Sequence, residues 1–374
     1  MLEVVRPPHG AARRGRGAPL LAAAGLAALL FVLMRRNADH TAQPARNDTA
    51  TEKAQAESSR WPKRRVIKDL ETLWEVPHQP RGVLFVAHGC SHSGSDWWPP
   101  SQRCQHCLGL PEEMIVRRAA VERGYAVIAV SSFDRETKCW HNTAASRSED
   151  LQRVPDILRA VMKEEGLSEL PLLSFGASSG GSFALRVGAL MPEVKGVVSQ
   201  ITPVNPSIFK GLDRPFPPTI FVHMAERDPS KAETVAAALG VLKESGTPAA
   251  EIRVGPRPCT PEFLQRSPLI PQKMARSIVD ALTEAGLLDE GGYFIEDPRR
   301  TGKQWRDLLK PLVGELSLEA DVSQVAELFN VAYARHELIG DTTDVSLAWL
   351  EAGGKADIDE LQRQEAERRE GKGR

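Results

Sequence analysis

The sequence has little net charge and few aromatic residues. Its 374 residues carry 48 lysines and arginines against 49 aspartates and glutamates, and aromatic residues make up 6% of the chain. A nucleic-acid-binding protein concentrates basic residues on one surface or motif and often stacks bases on aromatic side chains, and this sequence has no such concentration. We therefore expect no nucleic-acid partner. The content of 41% hydrophobic residues is typical of a globular protein.

Cysteine is also scarce, with five residues, so at least one thiol stays free if the others pair. Two residues separate Cys104 from Cys107, a spacing that fits a local disulfide, a redox pair or half of a zinc site. A zinc site would take Cys139 and His141 as further ligands. We favour the disulfide because the N-terminal residues indicate a lumenal or extracellular location. We expect no metal and no other cofactor.

A long apolar run lies near the N-terminus, at residues 18–34, between arginines on both sides. This pattern predicts a signal anchor over residues 1–37, with a transmembrane helix at about 18–34, which places the rest of the chain in the secretory-pathway lumen or outside the cell. A cleaved signal peptide and an organelle-targeting peptide are the alternatives. Residues 38–64 are polar and lack periodicity, which is typical of a disordered linker.

The most informative pattern is an apolar run, Leu170–Phe175, that ends at a serine flanked by glycines. A nucleophile on a sharp strand-to-helix turn needs small residues two positions before and after it, and Gly176 and Gly180 meet this need around Ser178. Gly181 lets the following helix pack close to the sheet. The pattern predicts a nucleophile elbow at Ser178. An ordinary turn is the alternative, and a register shifted by one residue would serve Ser179.

From Val66 onwards, short apolar runs alternate with helical patterns, which is typical of a mainly parallel sheet covered by helices. The predicted strands are Leu73–Val76, Val83–Ala87, Ala126–Ser131, Leu170–Ser174, Val194–Ile201, Thr219–His223 and Glu251–Val254. The predicted helices are Pro111–Arg123, Glu149–Glu165, Gly181–Met191, Ser230–Glu244 and Pro271–Ala285. With its serine elbow, this order over residues 65–285 resembles the α/β-hydrolase fold, an eight-stranded sheet flanked by helices.

The resemblance implies roles for two further loops. The strand Val83–Ala87 ends in His88-Gly89-Cys90, which resembles the oxyanion loop of that family, so the implied oxyanion donors are the amides of Cys90 and Ser179. We expect His88 itself to brace this loop. The family places its catalytic acid after the strand Thr219–His223, where this chain has Asp228, with Glu226 as the alternative. A helix N-cap before Pro229 is the structural reading of Asp228.

The histidine departs from the family pattern, because the loop at residues 255–261 has none. The order serine, acid, histidine requires a histidine after Asp228, and His336 is the one available. It continues an apolar stripe that starts at Val322, which predicts a base on a helix; a satisfied core histidine is the alternative. Residues 286–354 are then a helical extension that completes the site, and residues 355–374 are a charged, solvated tail.

These residues predict a membrane-tethered serine hydrolase with a small-molecule acyl substrate and a Ser178–His336–Asp228 triad. A non-catalytic binding protein on the same scaffold and an acyltransferase are the alternatives. Two motifs, Cys-x-x-Cys-x-Gly-Leu-Pro-Glu-Glu from Cys104 and Asn-Val-Ala-x-Ala-x-His-Glu from Asn330, are similar to those of uncharacterised plant and algal α/β hydrolases. Three tryptophans either line an acyl pocket or anchor loops: Trp97, Trp98 and Trp140.

Overall fold

An eight-stranded sheet organises the chain. The computed structural model describes residues 61–143, 145–202 and 204–372. The strands are β1 (Lys63–Ile67), β2 (Leu70–Glu75), β3 (Gly82–Ala87), β4 (Tyr125–Val130), β5 (Leu172–Ala177), β6 (Val194–Gln200), β7 (Thr219–His223) and β8 (Ala249–Arg253). Their order across the sheet is β1-β2-β4-β3-β5-β6-β7-β8. The pairs β1–β2 and β2–β4 are antiparallel and the others are parallel. This is the strand order of the α/β-hydrolase fold, so the predicted fold class is confirmed.

Helices cover both faces of the sheet and continue beyond it. They are α1 (Pro111–Glu122), α2 (Glu149–Glu164), α3 (Ser179–Leu190), α4 (Pro229–Glu244), α5 (Pro261–Leu264), α6 (Gln272–Glu284), α7 (Gly302–Leu309), α8 (Gln324–Tyr333), α9 (Thr343–Glu351) and α10 (Ile358–Lys372). Helix starts follow capping rules: Pro111 is the first residue of α1, and the Ser148 hydroxyl accepts a hydrogen bond from the Leu151 N–H at the start of α2.

The sheet separates two apolar layers because side chains alternate between faces along each strand. Val83 and Phe85 of β3 belong to one buried cluster, which also contains residues of α2 and α3. Leu84 and Val86 belong to the other, with residues of α1 and α9. A third cluster lies outside the sheet, where Trp305 of α7 and Phe329 of α8 pack with residues of α6. The part of the chain after β8 therefore has its own apolar core.

The sequence reading missed β1. Lys63-Arg64-Arg65-Val66-Ile67 has basic residues on an edge strand that pairs with β2 alone, and such charge conceals the strand pattern while it discourages pairing with other chains. The predicted linker, residues 38–64, is therefore wrong at its last two residues, which belong to β1. Trp61 and Pro62 precede β1 without regular secondary structure, and residues 38–60 lie outside the described residues.

The C-terminal residues form a helix, α10, where the sequence reading expected a solvated tail. Within α10, Arg368 and Arg369 form ion pairs with Glu365 at 2.7 and 2.6 Å. The same arginines reach Asp344 at 2.9 Å and Asp341 at 3.3 Å, outside α10. Ion pairs three and four residues apart stabilise a helix that has no apolar stripe, which is why the hydrophobic pattern did not reveal it.

The predicted membrane anchor at residues 18–34 lies outside the described residues. Within the residues that the structure describes, no helix has both the length and the apolar character needed to cross a bilayer. The structure therefore does not support the predicted transmembrane signal anchor or the single-pass localisation that was based on it, and neither is retained.

Candidate active site

Ser178 lies in the tight turn between β5 and α3. Its backbone has φ 54° and ψ −119°, a conformation that residues with a side chain rarely adopt. A Cβ on Gly176 would lie 2.2 Å from the carbonyl oxygen of Gly180, and one on Gly180 would lie 2.2 Å from a carbonyl oxygen at the end of β3. A Cβ on Gly181 would lie 1.8 Å from Thr202 Oγ1. The turn therefore requires these glycines and fixes Ser178 at the carboxyl end of β5.

The structure brings Ser178 and His336 together across 158 positions of sequence, with 3.0 Å between Ser178 Oγ and His336 Nε2. The neighbouring Ser179 is the first residue of α3, and its hydroxyl is buried without a partner among the described residues. Of the two registers considered for the elbow, the contact with a histidine therefore favours Ser178.

His336 lies in a loop, residues 334–342, between α8 and α9, so the prediction that it sits on a helix is wrong. Helix α8 ends at Tyr333 because Ala334 adopts the left-handed conformation, with φ 56°, and its N–H bonds to the carbonyl oxygens of Asn330 and Val331. Buried residues continue past this end, which is why the apolar stripe gave no sign of it.

Side chains from the sheet and from α1 hold the His336 loop. Gln200, the last residue of β6, accepts a hydrogen bond from the Ile339 N–H at 2.9 Å and donates one to the Ile339 carbonyl oxygen at 3.0 Å. The Glu112 carboxylate of α1 accepts from the Gly340 N–H at 2.7 Å. These buried contacts position the loop, and with it His336, relative to the strand ends.

The environment of His336 keeps its ring neutral. Burial lowers the pKa of His336 below its usual value, and the nearby Arg299 guanidinium lowers it further, while Glu337 acts in the opposite direction. The same guanidinium donates hydrogen bonds to the His336 carbonyl oxygen and to Glu337. At neutral pH His336 is thus able to accept a proton from Ser178.

Asp228 follows β7 and caps α4. Its carboxylate accepts hydrogen bonds from Ser230 Oγ at 2.8 Å and from the Lys231 N–H at 3.4 Å. Among the described residues, no hydrogen bond joins Asp228 to His336. The charge of Asp228 raises the pKa of His336, but this effect is smaller than those of burial, Arg299 and Glu337. The alternative acid, Glu226, is exposed and lies 3.8 Å from Arg227. The N-cap reading of Asp228 is thus observed, and its catalytic role stays a prediction.

The turn after β3 carries the predicted oxyanion loop. Gly89 and Cys90 line the same cleft as Ser178 and His336. Within the described part of the chain, the N–H groups of Cys90 and Ser179 have no protein acceptor. The disulfide between Cys90 and Cys139, which the sequence reading did not predict, joins this turn to the segment after β4. Both N–H groups therefore remain able to donate to a bound ligand.

His88 braces this turn. Burial lowers the pKa of His88 to about 3, so its ring is neutral. Its Nε2 accepts a hydrogen bond from the Ser132 N–H at 3.0 Å, and its Nδ1 lies 2.7 Å from the Gly89 carbonyl oxygen. The Trp140 indole donates to the His88 carbonyl oxygen at 2.8 Å. All of these contacts hold the loop.

The other cysteines and the three tryptophans singled out in the sequence are buried or disulfide-bonded and do not line the cleft. Cys104 and Cys107 are joined by a disulfide, and the zinc alternative fails because Cys139 is bonded to Cys90. Cys259 is a buried free thiol, and burial raises its pKa to about 12. The tryptophans considered for an acyl pocket are buried and are not among the cleft residues: Trp97, Trp98 and Trp140.

A cleft of about 390 Å³ opens at Ser178 and His336. This volume lies in the range of small-molecule sites. Its apolar lining includes Leu110, Ile201, Ala326, Trp305 and Leu338. Its charged lining comprises His92, Glu113, Arg299, Arg306, Asp321, Glu327 and Glu337. Much of this wall comes from residues 298–338, beyond β8.

No family model matches the chain, and no curated protein matches it. Solved structures of α/β hydrolases are similar to it. The dienelactone hydrolase of Anabaena variabilis ATCC 29413 is 20% identical, with a TM-score of 0.39, over 52% of this chain and 87% of that one. A Pyrobaculum calidifontis esterase is 16% identical, with a TM-score of 0.37, over 60% of this chain and 88% of that one. The esterase domain of a Rhodothermus marinus protein is 20% identical, with a TM-score of 0.32, over 50% of this chain and 82% of that one. At these identities the likeness concerns the fold alone.

Sequence reasoning missed several residues of the site. Gln200 and Glu112 position the His336 loop, and His92, Glu113 and Glu327 line the cleft. One signal is present in the sequence, since Glu112 and Glu113 belong to the Cys-x-x-Cys-x-Gly-Leu-Pro-Glu-Glu motif that starts at Cys104. The hydrogen bonds that join Glu112 to Gly340 and Glu327, more than 200 positions away, depend on tertiary packing, which no local pattern encodes.

Proposed function

We propose that the chain is a serine hydrolase that cleaves carboxylic esters through an acyl-enzyme. The observation that carries this proposal is the 3.0 Å contact between Ser178 Oγ and His336 Nε2 at the opening of the cleft. A nucleophile and base within hydrogen-bond reach, on a strained elbow, form the arrangement that activates a serine hydroxyl. The same distance favours catalysis over the alternative of a non-catalytic binding protein.

In the first step His336 Nε2 takes the Ser178 proton while Ser178 Oγ attacks the ester carbonyl carbon. The N–H groups of Cys90 and Ser179 then donate to the oxyanion, and each such donor stabilises it by about 3 kcal/mol. The N-terminus of α3 adds a favourable dipole. Collapse of the intermediate expels the alcohol, which receives its proton from His336, and water activated by His336 releases the acid. Asp228 is the proposed acid and acts on His336 through its charge.

The proposal predicts that a fluorophosphonate probe labels the wild-type protein on Ser178. Ser178→Ala removes the attacking oxygen, so labelling and ester hydrolysis are both lost, with a fall in kcat of about 10³-fold or more. Ser179→Ala keeps its backbone N–H and retains the label. In-gel fluorescence and peptide mapping check both variants after thermal unfolding shows that they are folded. A Ser178→Ala protein that is still labelled contradicts the assignment of the nucleophile.

A further inference from the structure

The two disulfides among the described residues differ in how easily a reagent reaches them. Cys104 and Cys107 are each 1% exposed, and their bridge closes a short local turn. Cys90 and Cys139 are half-buried, and Cys90 lines the cleft that contains Ser178. Thiol–disulfide exchange begins when a thiolate attacks a disulfide sulfur, so it requires access to that sulfur. The bridge beside the cleft is therefore the one that a reductant reaches more easily.

Buried hydrogen bonds hold the two ends of the turn after β3 independently of this bridge. At the start of the turn, the His88 ring accepts a hydrogen bond from the Ser132 N–H at 3.0 Å. At its end, the Gly94 N–H donates to Ser131 Oγ at 3.0 Å. Water does not compete for hydrogen bonds in such a buried position. We therefore expect the ends of the turn to stay in place when the bridge opens.

The middle of the turn depends on contacts with the segment after β4. The Ser91 N–H donates to the Thr137 carbonyl oxygen at 3.0 Å, and Lys138 Nζ donates to the Ser91 carbonyl oxygen at 3.2 Å. Ser91 and Thr137 are exposed, so water competes for these hydrogen bonds and each adds little stability. The bridge between Cys90 and Cys139, 49 positions apart, joins the same two segments covalently. It is therefore the main constraint on the position of Cys90.

Both segments have a strained residue next to the bridge. Ser91, which follows Cys90, has φ 67°, and Lys138, which precedes Cys139, has φ 53°. Residues with a side chain rarely adopt this left-handed conformation, which persists where the surrounding structure enforces it. Opening the bridge removes a constraint next to both residues. We therefore expect the backbone at Cys90 to relax away from its present position.

A shift at Cys90 changes the geometry around the nucleophile. A Cβ on Gly89 would lie 3.9 Å from Ser178 Cβ, so the turn lies close to the elbow. An oxyanion donor is effective when its N–H points at the developing charge, and loss of one such donor lowers kcat by about 10²–10³-fold. The Cys90 N–H is one of the two proposed donors. Its alignment therefore depends on the bridge.

We propose that the Cys90–Cys139 disulfide positions the Cys90 N–H for catalysis and is a reaction site for dithiols, which lower the esterase activity by reducing it. The proposal rests on the proposed esterase function and adds a means of control. A thiolate of the dithiol attacks one sulfur of the bridge and displaces the other as a thiolate. The second thiol of the reagent then resolves the mixed disulfide. Two electrons and two protons pass from the dithiol to the bridge, which leaves two cysteine thiols and a cyclic reagent disulfide.

Dithiothreitol tests the effect of reduction on the wild-type protein. The protein is equilibrated with set ratios of reduced to oxidised dithiothreitol and then freed of reagent by gel filtration under nitrogen, because thiols themselves cleave para-nitrophenyl esters. Alkylation and peptide mapping of a parallel sample show which bridge has opened. We expect Cys90–Cys139 to open first and kcat for a para-nitrophenyl alkanoate to fall by about tenfold or more, with KM little changed. Full activity with this bridge open, or earlier opening of Cys104–Cys107, overturns the proposal.

Two double variants locate the effect. Cys90→Ala with Cys139→Ala removes the bridge but keeps the backbone N–H, so its kcat is expected to match that of the reduced wild type and to ignore dithiothreitol. The matched control, Cys104→Ala with Cys107→Ala, is expected to keep the wild-type kcat and the response to dithiothreitol. Both are assayed well below their temperatures of unfolding. Equal losses of kcat in the two double variants indicate a general effect on stability and contradict the positioning role.

Hydrogen–deuterium exchange separates failure of this proposal from failure of the esterase proposal. Exchange is measured on a peptide that contains Ser91, in the wild type and in the variant without Cys90 and Cys139. We expect exchange about tenfold faster or more in the variant, with no change in a peptide from α2. If exchange rises but neither protein hydrolyses esters, the esterase proposal fails and the bridge still positions the turn. Equal exchange in both proteins overturns the positioning role whether or not esters are cleaved.

Discussion

The two walls of the cleft differ in how they hold their functional groups. On the sheet side, Ser178 is fixed by the backbone, through a strained φ and through glycines at positions 176, 180 and 181 that no larger residue can replace. On the other side, His336 and Glu327 depend on hydrogen bonds from backbone N–H groups to distant side chains and on the ion pair between Arg299 and Glu337. The nucleophile is therefore preset by local geometry, whereas the base depends on tertiary contacts that single substitutions can remove.

His336→Ala is expected to have the largest effect on this second wall. Because His336 Nε2 is the group that contacts Ser178 Oγ, its removal lowers kcat for a neutral ester by about 10³-fold or more and leaves the elbow intact. The measurement is steady-state hydrolysis of a para-nitrophenyl alkanoate, with thermal unfolding to verify the fold. His78→Ala, at an exposed histidine, is the control. Turnover near that of the wild type in His336→Ala means that another group is the base.

Asp228→Asn is expected to have a smaller effect. The Asp228 carboxylate is bound by Ser230 and Lys231 and acts on His336 through charge, so its neutralisation lowers kcat by about tenfold. Asparagine keeps the N-cap of α4, so the temperature of unfolding changes little. We compare the loss of kcat in Asp228→Asn with the loss of kcat in His336→Ala, measured on the same ester, to decide how Asp228 acts on His336. A loss in Asp228→Asn as large as that in His336→Ala shows that Asp228 bonds directly to His336 during turnover.

The same comparison of the two walls shows which parts of the site could be predicted from the sequence. The strand–turn–helix at Ser178 and the loop after β3 were recognisable because their constraints are local: short apolar runs, glycines at fixed offsets and a proline at a helix start. His336 was found by the order of residues in the chain, but its loop was taken for a helix, since the left-handed Ala334 interrupts α8 without a glycine. Glu113 and Glu327 lie 214 positions apart (327 − 113), and nothing in either segment encodes their meeting in one cleft.

Arg299→Gln tests the smallest of these effects, the influence of charge on the base. The Arg299 guanidinium lowers the pKa of His336, and His336 works only when it is unprotonated, so activity falls as the pH drops through that pKa. Without the charge the pKa rises, and the acid limb of the kcat/KM profile moves to higher pH. Activity near pH 8 changes little, because His336 is then neutral in both proteins. Arg299→Lys keeps a positive charge at the same position and is expected to keep the limb closer to that of the wild type. If Arg299→Gln and the wild type have the same acid limb, the group that titrates is not the His336 imidazole. In that case the Arg299 charge does not set the protonation state of the base.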